Sequence, residues 1–161
     1  MKSRLIYLPR LSGRKASIYS IISEESKVSL LDNFILENKA ESMQDLLSIT
    51  GRLRSIGNTA GAILPFFKMD EGLEWDDLVC ALYDVPDRHL RLYCIRLNDQ
   101  IVIAGGGGPK NVRAWQQDPK LGREVLEMMH YSKIVRTKLG NGRLRIASDG
   151  LKFEGDLMLT K

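Results

Sequence analysis

Residues 17–22, Ser-Ile-Tyr-Ser-Ile-Ile, alternate well enough to predict a short strand. From Ser23 onward the spacing changes. Val28, Leu31, Phe34 and Ile35 recur at helical intervals, which predicts a helix capped by Ser23 and running to about Asn38. Ser42 and Asp45 form a weak capping box that opens a second helix. Its apolar stripe is Met43, Leu46, Leu47, Ile49, Leu53 and Ile56, and Gly57 and Asn58 are the stop residues. The link from Lys39 to Glu41 is short enough to make the pair an antiparallel helical hairpin.

Period-two patterning returns in residues 78–84 and 90–97, which flank the loop Val-Pro-Asp-Arg-His and predict a β-hairpin. Pro86 falls in the loop, where its missing N–H costs nothing. A third strand, Ile101 to Ala104, follows the turn Asn98-Asp99-Gln100 and ends in the glycines 105–108. Asp118 and Pro119 then start a long helix with the stripe Leu121, Val125, Met128, Met129, Ser132, Val135 and Leu139, stopped by Gly140. Residues 144–147 and 152–159 around Ser148-Asp149-Gly150 predict a terminal hairpin. Consecutive antiparallel strands with helices on one face give an α+β fold, and the 161 residues are read as one domain.

Symmetry about residue 87 sets Cys80 opposite Cys94 and Leu82 opposite Leu92, which with Leu90 form an apolar face. The cysteines are then small core residues. Tyr83, Arg91, Tyr93 and Ile95 fall on the other face, expected to be open. There an arginine fork for phosphate stands beside rings on which bases can stack. Pro109 breaks the Gly-Lys step that a nucleotide-binding loop needs, so the glycines read instead as a strand end that a substrate backbone can approach. Lys110 then emerges at the sheet edge beside Arg91.

Charge sharpens this picture. Residues 1–16 carry five basic side chains and no acid, and residues 110–145 carry nine against Asp118, Glu124 and Glu127. Such stretches suit an anionic partner, usually nucleic acid, although a solvated helix face has the same composition. Residues 70–87 hold seven acids and no base, and the part from 70 to 77 reads as a solvated loop. No apolar run reaches the roughly 18 residues of a membrane span, no signal-peptide core follows the basic start, and a cytoplasmic location is expected. Two cysteines and two histidines cannot supply a disulfide scaffold or a His-rich metal site, and no metal or cofactor is expected. His89 is expected in an exposed loop and His130 on the long helix, and neither joins a Ser/His/Asp or Cys/His arrangement. Trp75 and Trp115, near loop ends, read equally as core lids or stacking residues.

From Lys15 to Lys110 the chain resembles the RelE/ParE superfamily of bacterial toxins, and within it the HigB-like (phage Gp49-like) branch. The resemblance rests on the first strand and helical hairpin, on Phe67-Lys68-Met69, on Leu90-Arg91-Leu92-Tyr93, and on Ile101-Val102-Ile103-Ala104 through Lys110. The helix and hairpin of 118–161 follow this core. The chain departs from the pattern at Gly105, where the family often has His, at Gly107 in place of an aromatic residue, and at Pro109 in place of the first of two lysines. The resemblance implies a RelE-like fold and a metal-independent endoribonuclease that cleaves mRNA, commonly at the ribosome, and that a cognate antitoxin protein restrains. It assigns Arg91 to transition-state stabilisation, Lys110 to phosphate binding or proton transfer, and Lys68 to substrate binding. The residues themselves add Tyr93 as a stacking surface or proton donor, with Tyr83 and Arg113 as further substrate contacts. No residue stands out as the general base. Two other readings stay open: a RelE/ParE-fold binding protein without nuclease activity, such as a gyrase-directed toxin or phage regulator, and a basic nucleic-acid-binding module.

Overall fold

In the computed structural model, which describes residues 2–69, 71, 78–110 and 118–160, the strand expected first in the sheet is the second. Strand β1 (Ser3–Tyr7) precedes β2 (Ser17–Ser23) and pairs with it antiparallel. The basic N-terminal stretch predicted no strand because Arg4 and the polar flanks break its apolar pattern. In the fold Ser3 and Leu5 turn inward and Arg4 outward.

Helices α1 (Leu30–Asn38) and α2 (Met43–Ser55) come next, followed by β3 (Phe67–Lys68), β4 (Val79–Tyr83), β5 (Leu90–Arg96) and β6 (Ile101–Pro109). The six strands form one sheet in the order β1-β2-β6-β5-β4-β3, antiparallel except for the parallel pair β2–β6. Helix α3 (Pro119–Gly140) and the hairpin β7 (Leu144–Ile146)–β8 (Phe153–Gly155) complete the α+β fold. The edge of β1 is closed by the chain's last segment: Leu5 N donates to Leu157 O at 2.9 Å and Leu159 N to Ser3 O at 2.7 Å.

The β4–β5 hairpin has the expected register, with Cys80 opposite Cys94 and Leu82 opposite Leu92. These four and Leu90 pack with Leu31 and Phe34 of α1 and Leu46, Ile49 and Leu53 of α2. The other face is not open, as expected from the sequence, but covered. Val79, Ala81, Tyr93, Ile95, Ile101 and Ile103 pack against Leu121, Val125, Met128 and Val135 of α3. Helices therefore lie on both faces of the sheet. The stripe of α3 was legible because its residues recur cleanly, whereas nothing local says which sheet face a helix will cover.

Two helix boundaries differ from the expectation. Helix α1 starts at Ser29, not Ser23. The Ser29 hydroxyl accepts from Asp32 N at 3.1 Å, and the buried Ser20 hydroxyl accepts from Leu31 N at 3.2 Å. Helix α2 runs past Gly57 and Asn58 as a π turn over Ile56–Ala60 and ends at Gly61, whose φ is +81°. Asp118 caps α3 as predicted, accepting from Lys120 N and Leu121 N.

Strand β6 also continues through the glycines that were read as its end. Leu92 pairs with Gly107 and Cys94 with Ala104, so Gly105 and Gly106 lie opposite the single Tyr93 as a bulge. A Cβ on Gly105 would sit 2.3 Å from the sulfur of Met128, and one on Gly107 1.8 Å from the carbonyl oxygen of Arg91. The protein's own atoms occupy the space expected for a substrate backbone.

Candidate functional site

Register alone brings Tyr83 of β4 opposite Arg91 of β5, and Pro109 at the end of β6 opposite Leu90. The chain leaving β6 therefore starts beside Arg91, and Lys110 N donates to His89 O at 2.7 Å. From there the long Lys110 side chain reaches back so that Nζ lies 5.3 Å from the centroid of the Tyr83 ring. The guanidiniums of Arg91 and Arg88 lie 5.2 Å and 5.6 Å from the same ring. Lys68, at the end of β3, reaches the cluster through Glu71, with its Nζ 3.7 Å from Oε1. Arg91, Lys110, Lys68, Tyr83 and Tyr93 are thus brought together. Arg113, Trp75 and Trp115 lie outside the described residues.

Arg91 is fully buried, contrary to the exposed face expected for it. Its Nη1 donates to the Tyr93 hydroxyl at 2.9 Å and lies 4.0 Å from Glu71 Oε1. Among the described residues, Nε and Nη2 have no hydrogen-bond partner. A guanidinium presents several N–H donors in a fixed planar fork, suited to two oxygens of a phosphate or carboxylate. Leaving buried donors unpaired is costly, and two acceptor oxygens of an anion would satisfy both. Burial opposes the charge of Arg91, but the Tyr93 hydrogen bond and the neighbouring tyrosines and Glu71 hold it above its ordinary pKa.

The tyrosines do not offer stacking platforms. Tyr93 is fully buried and spends its hydroxyl on Arg91. Tyr83 is nearly buried, with three cations around its ring and its hydroxyl 3.4 Å from Glu71 Oε1. Burial raises the pKa of both phenols, although Arg91 pulls each back. Lys110 shifts the other way: burial and then the charges of Arg91 and Lys68 lower its pKa.

Sequence reasoning missed Arg88, in the loop between β4 and β5, and Glu71. Glu71 belongs to the acidic stretch read as a solvated loop, yet it is only 6 % exposed, and its backbone N–H donates to Val79 O at 3.0 Å. Its signal was faint, an acid three residues after Lys68. Lys15, of the N-terminal basic residues, does not join the site. It lies beside Gly57, next to the start of β2, and β2 runs parallel to β6, so the start of β2 is at the sheet end away from Lys110.

Lys120 and Lys138 of the later basic stretch are engaged within the fold, whereas Arg123, Lys133, Arg143 and Arg145 are exposed. Lys120 Nζ donates to Gly107 O at 2.8 Å and pairs with Glu124 and Glu37. Lys138 donates to Met158 O at 2.6 Å and pairs with Asp156 at 2.7 Å, lining a cavity of about 640 Å³ between α3 and the C-terminal segment. At the β4–β5 loop, Asp45, Asp87 and His89 bring three ligand atoms within 4.8 Å of one another, two of the three residues being exposed. Among the described residues, neither feature has an unpaired buried guanidinium like that of Arg91.

Comparison with protein-family models, curated proteins and solved structures gave no match to this chain. Among the described residues, no helix is long and apolar enough to cross a membrane.

Proposed function

We propose that this protein is an RNA-cleaving toxin of the RelE/ParE kind, acting on mRNA in the cytoplasm and held in check by an antitoxin protein. The observation that carries the reading is the edge of buried Arg91 left unpaired among the described residues, with Lys110 and Arg88 against the adjacent Tyr83 ring and Lys68 against the adjacent Glu71. The order of elements from β2 through α1, α2, β4, β5 and β6 to α3 agrees with the order on which the resemblance rests.

Cleavage would proceed by attack of a ribose 2′-oxygen on the adjacent phosphorus, with departure of the 5′-oxygen and a 2′,3′-cyclic phosphate as product. Arg91 binds the phosphate oxygens and stabilises the charge of the phosphorane. Glu71, beside it, takes the 2′-hydroxyl proton. Lys110, whose lowered pKa suits proton transfer, donates to the departing oxygen. Lys68, more than half exposed, meets the flanking backbone. Tyr93 acts through Arg91 and is a positioning residue.

A second reading, a phosphate-recognising binding protein on this fold, is favoured by the closure of Arg91 and by Gly105 in place of a histidine. Mapping of new RNA 5′ ends after brief induction in bacteria separates the two. Ends inside coding regions with wild type, absent with Arg91→Met and Lys110→Ala, are expected of the nuclease. Unchanged ends with soluble, equally expressed proteins would leave the binding protein.

A further inference from the structure

Two cations of the candidate site, Lys68 and Arg91, flank one carboxylate, Arg88 and Lys110 lie against the neighbouring Tyr83 ring, and the way that carboxylate stands is informative. Glu71 Oε1 lies 3.4 Å from the Tyr83 hydroxyl, 3.7 Å from Lys68 Nζ and 4.0 Å from Arg91 Nη1. A carboxylate engaged by a guanidinium fork closes to about 2.7–2.9 Å on two nitrogens. Glu71 instead stands off at ion-pair distance on the Nη1 side, while Nε and Nη2 keep no partner among the described residues. We infer that Glu71 is a resident anion of the free protein: it offsets the buried charge of Arg91 without filling its fork, and a phosphate group entering the fork competes with it for the same cations. The inference rests on the reading of this cluster as a phosphate seat.

The physical reasoning has two parts. A buried guanidinium without a countercharge is strongly unfavourable, so the empty site needs an internal anion to hold Arg91 in place. Once a phosphate is bound, that anion becomes a like charge a few ångströms away inside a poorly solvated site, and it opposes the ligand. Burial and then the charges of Arg91 and Lys68 lower the pKa of Lys110, so the clustered cations repel one another and accept a further negative charge more readily when an uncharged side chain replaces Glu71. Glu71 thus weakens adventitious phosphate binding in the free protein. It lets only a ligand with additional contacts, such as an RNA backbone along Lys68 and Lys110, compete successfully.

Most substitutions in a binding site weaken binding, and this one has the opposite sign. Inorganic phosphate is titrated at constant ionic strength into wild type, Glu71→Gln and Glu71→Gln/Arg91→Met, with binding read by calorimetry and folding by circular dichroism. Glu71→Gln is expected to bind phosphate about tenfold more tightly than wild type, with the gain abolished by Arg91→Met. Glu71→Ala carries the same expectation should the amide variant fail to fold. Equal affinity in wild type and the Glu71 variants overturns the resident anion while leaving the seat intact. No binding to any of the folded proteins overturns the seat itself.

Discussion

Arg91 and Tyr93 stand two residues apart on β5, both fully buried, and the Arg91 Nη1 donates to the Tyr93 hydroxyl at 2.9 Å. The tyrosine sits where β6 bulges, opposite Gly105 and Gly106, so its ring lies under α3 and its hydroxyl is aimed along its own strand. Tyr93→Phe keeps the ring and removes the acceptor, leaving a third guanidinium nitrogen unpaired. A loss of about 1–3 kcal/mol in unfolding free energy is expected from urea denaturation. RNA cleavage should fall as well, with KM rising more than kcat falls. Unchanged stability would show that the bond does not hold Arg91.

Removing the arginine has a different consequence. Arg91→Met removes one partner of a buried ion pair, taking the guanidinium away from the Glu71 carboxylate and the Tyr93 hydroxyl, and such a one-sided loss is destabilising. The variant is expected to melt below the wild-type temperature, to recover part of that loss when Glu71→Gln is added, and to lose phosphate binding and the proposed RNA cleavage. A clearly lower melting temperature together with retained cleavage would mean that Arg91 is a structural residue.

Lys110 gives a pH dependence whose sign follows from its surroundings. Its pKa is lowered in the fold from the ordinary 10.5, first by burial and then by Arg91 and Lys68. Between the lowered and ordinary values the unfolded chain binds more protons, so stability rises with pH through that window. Below it, the charged lysine is a net cost to the fold. Lys110→Gln is therefore expected to be at least as stable as wild type near pH 7, with the difference narrowing as the pH approaches 10.5. Denaturant midpoints measured across that range test it, and a wild-type advantage that is largest at neutral pH would contradict it.

The hairpin register was legible because Pro86 and the polar loop around residue 87 fix the turn, and period-two alternation does the rest. The long helix was legible from Asp118, Pro119 and its stripe. Strand β1 was not, because half its pairing is with segments distant in the chain: Met158 faces Arg4 across an isolated bridge. Arg91 and Lys110 were named from their types and places on the sheet and Lys68 from the family resemblance, but Arg88 was not singled out and the burial of Arg91 was not foreseen, since the covering of a sheet face by α3 is a tertiary fact. Glu71 was hidden for the same reason. In a run of acids, nothing local marks the one whose carboxylate turns inward.

The cap of α1 is Ser29, where the sequence pointed to Ser23. Ser29 accepts from Asp32 N, whereas Ser42 at the start of α2 makes no side-chain cap bond. Ser29→Ala should cost about 1 kcal/mol and Ser42→Ala clearly less. Chemical denaturation of the two variants side by side gives the comparison, and equal losses would mean that Ser29 does not cap the helix.

The glycine run of β6 allows a sharper test of why those residues are glycine. A Cβ on Gly107 would meet the backbone carbonyl oxygen of Arg91 at 1.8 Å, an atom that cannot move without breaking the β5–β6 pairing. On Gly108 the nearest heavy atom is the end of the Lys120 side chain at 3.7 Å, ordinary contact distance. Gly107→Ala is expected to destabilise the fold by about 3 kcal/mol, whereas Gly108→Ala should stay within about 1 kcal/mol of wild type. If the glycines were instead kept for the approach of a bound RNA backbone, both variants would fold normally and both would lose RNA binding. Denaturation and RNA-binding titrations on the two proteins distinguish these patterns, because internal crowding puts the damage in stability at one position and substrate approach puts it in affinity at both.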